Sequence, residues 1–114
     1  MATTKTIGKA EQFKLSTGPL FIKSIPGDGH LTYSRIYQNG KLIKAGEGII
    51  ETSTTGKAGD EIFITTTINK PNGSSDFASL TIEMNDDHNS DRWVYSSSEP
   101  DFDVVVYEVT ITLT

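Results

Sequence analysis

Apolar and polar residues alternate with a period of two along most of this chain, and no stretch carries the spacing of an amphipathic helix. Residues 103–114 show it best. Val105, Tyr107, Val109, Ile111 and Leu113 fall on one side, and Val104, Val106, Glu108, Thr110 and Thr112 on the other. The first half is apolar on both faces, which places it in the middle of a sheet, whereas the second half reads as half-exposed. Residues 60–69 put Ile62, Ile64, Thr66 and Ile68 on one face. Residues 77–84 turn Ala78, Leu80, Ile82 and Met84 inward and Ser79, Thr81 and Glu83 to water.

Residues 30–38 place Leu31, Tyr33, Arg35 and Tyr37 opposite Thr32, Ser34 and Ile36. Asn39-Gly40 follows, and then Lys41-Leu42-Ile43-Lys44, which predicts a hairpin, because a type I′ turn needs positive φ twice. Phe13-Lys14-Leu15 and Leu20-Phe21-Ile22-Lys23, divided by Gly18-Pro19, read as two short strands or one strand broken by a bulge. Residues 48–51 form a weaker strand and residues 92–95 another. Turns or loops are expected at Pro26-Gly27-Asp28-Gly29, at 52–59, at 71–75, over the acidic stretch 85–91 and at 96–101.

Eight or nine strands at this spacing predict an all-β fold: a single antiparallel β-sandwich with Greek-key links, one domain spanning residues 1–114. Abundant Thr, Ser, Gly, Asp and Asn suit strands and turns. No apolar run is long enough for a transmembrane segment, and the opening residues lack the apolar core of a secretory signal. Cytoplasmic synthesis is the simplest expectation, with non-classical release as the other route. The Thr-rich closing strand lacks charges near its end, which suggests a homo-oligomer, a dimer first, formed by edge pairing of that strand.

Two features bear on chemistry. With no cysteine, a disulfide framework, a thiolate metal site and a cysteine nucleophile are excluded. A net charge of −5 argues against nucleic acid as a partner. It leaves acids free to gather round a cation. Glu99, Asp101 and Asp103 stand at alternate positions ahead of the closing strand, and an extended segment would turn all three to one side with Phe102 toward the core. A calcium ion takes about six to eight such oxygens. The same residues also read as solvated loop acids in an acidic protein. Asp87-His88 with Ser90 lies side by side on one loop, which is not the spatial order of a triad, and no nucleophile elbow or phosphate-binding glycine loop is present. The chain therefore reads as no enzyme. Scattered lysines, Lys41, Lys44, Lys57 and Lys70 among them, guard strand edges.

From Asp60 onward the order of elements is distinctive. The strand 62–68 leads into Asn72-Gly73-Ser74-Ser75-Asp76, then the strand 77–84, a variable loop, Ser97-Ser98-Glu99-Pro100-Asp101-Phe102-Asp103 and a Val-rich closing strand. In this the chain resembles the small bacterial two-calcium lectins that bind fucose and mannose. Where that family carries an acidic run of the type D-N-D-x-N-D, this chain has Asp101-Phe102-Asp103, and it closes on Leu113-Thr114 in place of the family's glycine.

The resemblance implies a glycan partner, calcium as the cofactor, and a site at the start of the closing strand. By position Glu99, Asp101 and Asp103 would hold metal, with Asp28 as a fourth ligand. Ser96, Ser97 and Ser98 would bond to sugar hydroxyls, and Trp93 or Tyr95 would offer an aromatic face, although a core or interface position is the commoner fate of a lone Trp on a strand. A lectin-like, calcium-assisted, non-enzymatic sandwich is thus the leading expectation. Beside it stand a structural module of a toxin, secretion apparatus or inclusion that assembles through strand edges, and a sandwich that binds lipid through calcium.

Overall fold

A computed structural model describes residues 3–27, 31–70 and 77–114. The expected turns at 28–29 and 71–75, His30 and Asp28 lie outside the described residues. Nine strands form two packed sheets: β1 (Thr4–Phe13), β2 (Leu20–Pro26), β3 (Leu31–Gln38), β4 (Lys41–Glu47), β5 (Ile50–Thr54), β6 (Glu61–Asn69), β7 (Phe77–Asn85), β8 (Ser90–Ser98) and β9 (Val104–Leu113). One sheet runs β1-β9-β6-β3-β4 and the other β5-β2-β7-β8. Among the described residues β3–β4 and β7–β8 form hairpins, and strands that follow one another elsewhere in the chain belong to different sheets. Asn39 (φ 49°) and Gly40 (φ 81°) make the expected type I′ turn.

The core is the set of inward positions that the alternation marks: Ile62, Ile64 and Ile68 of β6, Ala78, Leu80, Ile82 and Met84 of β7, and Val105, Tyr107, Val109, Ile111 and Leu113 of β9, all buried. Three hydroxyls sit among them, with no exposure. Ser24 of β2 lies 3.2 Å from Ser34 of β3 and 3.4 Å from Thr66 of β6, and Ser34 lies 2.8 Å from Thr66. In this triangle each hydroxyl can donate once and accept once, so three polar groups are satisfied without water. Losing one member leaves one donor and one acceptor of the remaining pair unmet in an apolar surrounding. Ser34→Ala is therefore expected to cost about 1–2 kcal/mol, while the triple change Ser24→Ala, Ser34→Ala and Thr66→Val approaches neutrality. Urea titration of the two variants checks it, and equal losses in both would show that the triangle is incidental.

Four departures from the sequence reading have clear causes. Phe13 ends a ten-residue strand and does not begin one. β1 holds few large apolar residues, chiefly Ile7 and Phe13, so it shows no alternation. It forms instead on the free edge of β9, in parallel, from Thr4 opposite Val104 to Phe13 opposite Leu113. The sandwich is thus not wholly antiparallel. The expected self-pairing along the closing strand is overturned for the same reason, because β9 has β1 on one side and β6 on the other. Finally, β5 and β8 reach into stretches expected to be loops, and Ser96, Ser97 and Ser98 belong to β8.

Among the described residues no helix is long and apolar enough to cross a membrane.

Candidate functional site

The residues singled out ahead of β9 are close in sequence but do not assemble into a cation site. Residues 99–102 form a turn, in which Phe102 N–H donates to the Glu99 carbonyl at 3.3 Å. The alternate spacing of Glu99, Asp101 and Asp103 therefore does not bring their carboxylates to one side, since that rule holds only for extended backbone. Among the described residues no three His, Cys, Asp or Glu side chains come together to hold a metal ion.

Glu99 instead accepts a hydrogen bond from the Ser97 hydroxyl at 2.7 Å. Asp101 and Asp103 are exposed, and their backbone is tied down: the Thr3 hydroxyl donates to the Asp101 carbonyl, Asp103 N–H donates to the Thr3 carbonyl, and Lys70 N–H donates to the Asp103 carbonyl. Lys70 is buried and its ammonium donates to the Glu99 carbonyl, so this lysine anchors a loop and does not guard an edge. Phe102 is half-buried beneath the Lys5 ammonium, 5.8 Å from its ring centroid, and not in the core.

The aromatic residues of β8 face inward. Trp93 packs against the core opposite Ile82, and Tyr95 is buried with its ring 6.0 Å from that of Tyr107. Tyr95 donates to Glu11 of β1 at 2.6 Å, and burial followed by that acid pushes its hydroxyl pKa well above the ordinary range. Ser98 points outward opposite Phe77, and Ser96 outward opposite Ser79.

A face that can meet a ligand lies elsewhere, on the outer side of the five-stranded sheet. Successive cross-strand rows read Leu31–Asn69–Val104, Tyr33–Thr67–Val106, Arg35–Thr65–Glu108 and Tyr37–Phe63–Thr110. Glu47 of β4 stands beside Tyr33. Leu31 is 68% exposed and Tyr33 38%. The Arg35 guanidinium sits 4.8 Å from the Tyr33 ring centroid, and the Tyr37 and Phe63 rings are 6.1 Å apart. A groove of about 490 Å³ opens over this end of the face, lined by Leu31, Tyr33, Glu47, Gly48, Thr67 and Asn69. Aromatic rings, hydroxyls, an amide and charges of both signs share one face of the sheet.

The alternation of β3 already places Leu31, Tyr33, Arg35 and Tyr37 on one side. It cannot show that β6 and β9 extend that row, because strand neighbours are set by the tertiary fold.

Opposite the 99–102 turn, the other end of the sandwich is fastened by two buried carboxylates. Asp86 accepts from Ser16 N–H and from the Ser16 hydroxyl, and also from His88 and Asn89 N–H. Asp60 accepts from Asn39 and Gln38 side chains and from Lys57 N–H. These bonds, from Ser16 first for Asp86 and from Asn39 first for Asp60, hold both carboxyls below the usual carboxylate range. Both are structural latches.

Comparison with models of known families, with curated proteins and with solved structures gives no match.

Proposed function

We propose that this domain is a non-enzymatic carbohydrate-binding β-sandwich whose binding face is the outer surface of the five-stranded sheet around Tyr33 and Arg35. The observation that carries the reading is the row structure of that face. A sugar ring has an apolar face that stacks on an aromatic side chain and a rim of hydroxyls that needs hydrogen-bond partners. Tyr33 and the Tyr37–Phe63 pair supply the first, and Arg35, Glu47, Thr65, Thr67 and Asn69 supply the second. An exposed apolar patch rimmed by polar groups is also what marks an interaction surface in general. The reading needs no metal ion, since none of these groups depends on a bridging cation.

A glycan array probed with and without chelator tests it. Binding should survive chelation and should weaken about tenfold in Tyr33→Ala or Arg35→Ala, the loss expected for one stacking or charged contact worth ~1.4 kcal/mol. Binding that vanishes with chelator and in Asp101→Ala with Asp103→Ala, yet survives in Tyr33→Ala, would move the site to the loop. Absence of binding to every glycan would sink the reading.

A further inference from the structure

β1 differs from every other strand. It makes the one parallel pairing among the described residues, at one edge of the five-stranded sheet. Its outward row, Thr4, Thr6, Gly8, Ala10 and Gln12, is exposed throughout. Of its inward row, Phe13 alone is fully buried, and Ile7 packs partly against the core. An open cleft of about 240 Å³ between β1 and β8 is lined by Ile7, Lys9, Val94, Tyr95, Ser96 and Tyr107. Few β1 side chains are buried, so the main-chain ladder to β9 carries much of the attachment. Only residues 14–19 join β1 to β2, and Asp86 fixes Ser16. Exchange must therefore release Lys14, whose carbonyl accepts from the Asn89 amide, and Leu15, whose N–H donates to the Thr114 carbonyl.

We propose that β1 is an exchangeable arm, which leaves its own β9 and seats on the β9 of a second copy of this chain, giving a reciprocally swapped dimer. The partner is a second copy because the inward row matches this sandwich group by group. The Lys5 ammonium lies over Phe102, the Lys9 ammonium lies 5.8 Å from the Tyr95 ring centroid, Glu11 accepts from the Tyr95 hydroxyl, and Phe13 enters the core. An unrelated strand would reproduce the ladder and none of these contacts. Closed and exchanged forms share all their contacts except at the hinge, so concentration sets the balance between them.

The absence of cysteine makes the exchange readable by crosslinking. Thr6 and Val106 are register partners, as are Gln12 and Thr112, at the spacing of about 4.8 Å between neighbouring strands that a disulfide can bridge. Thr6→Cys with Val106→Cys is incubated over tenfold steps of concentration and then oxidised, with each single-cysteine variant as background. Gln12→Cys with Thr112→Cys repeats the measurement at the other end of the strand, against misfolding of the first pair.

The exchange predicts a disulfide-linked dimer above background. Its fraction rises about tenfold for each tenfold step while dimer is scarce. A bond that closes only within one chain at every concentration would overturn it. So would a dimer in sedimentation whose cysteine bonds remain within chains, which would mean association through another surface. Failure of both pairs to close in either way would show that β1 does not sit on β9, and would overturn it as well.

Discussion

Tyr107→Ala is expected to lower the unfolding free energy by about 3–5 kcal/mol, the range for removing a large buried ring. Tyr107 is among the largest fully buried side chains, and it joins the two sheets. Its backbone belongs to β9, its hydroxyl donates to the Ala78 carbonyl of β7 at 2.7 Å, and its ring lies against Tyr95 of β8. A domain of this size is stable by about 5–15 kcal/mol, so the loss takes a large share. It corresponds to a fall in melting temperature of roughly 12–20 °C.

Tyr107→Phe separates the ring from the hydroxyl. It keeps the packing and leaves one buried carbonyl without its donor, at about 1 kcal/mol. Thermal melts of the two variants check the pair. If alanine proves as mild as phenylalanine, the ring is not what holds the sheets together.

Acid is expected to loosen the sandwich first at its latched end. The Asp86 carboxyl titrates in the folded chain below its ordinary value of 3.8, chiefly because the Ser16 hydroxyl and N–H bond to its charged form. A group whose folded pKa is depressed contributes stability that is complete above the unfolded pKa and disappears as pH falls through the folded one. The contribution of Asp86 is thus fully present at neutral pH and drains away below about pH 4. Asp60 has a shift of the same sign and adds to the same window.

Asp86→Asn removes the charge and keeps the shape. Its melting temperature at pH 7 should lie several degrees below that of the parent chain, and the gap should shrink as pH drops from about 4 to about 2. A gap that stayed constant across that range would mean the carboxylate is not acting through its charge.

The sequence makes the inner faces legible, and leaves open what each face meets. Inward positions of β6, β7 and β9 follow from alternation alone, because a half-buried strand must sort its side chains by solvent. The Asn39-Gly40 turn is equally local. β1 could not be read this way, because its residues are held by the edge of a strand a hundred positions later, and an exposed strand needs no pattern. The same holds for the latches. Asp86 looks like one more loop acid until Ser16 arrives from seventy residues away.

The acids ahead of β9 fail in an instructive way. Their spacing fits a cation only along extended backbone, and Pro100 lies in a turn that breaks that geometry. The Tyr33 face was half visible: β3 supplies one row, and the fold supplies the other two.

If the outer face of the five-stranded sheet binds sugar, its backbone amides should report it. The direct measurement is a titration of isotope-labelled protein with a glycan taken from the array, followed by amide chemical shifts. Shifts are expected to gather on residues 31–37 of β3, 63–69 of β6 and 104–108 of β9, unchanged by chelator. Shifts confined to residues 96–103 would contradict it, placing the site on the turn ahead of β9 and leaving the Tyr33 face without a role in binding.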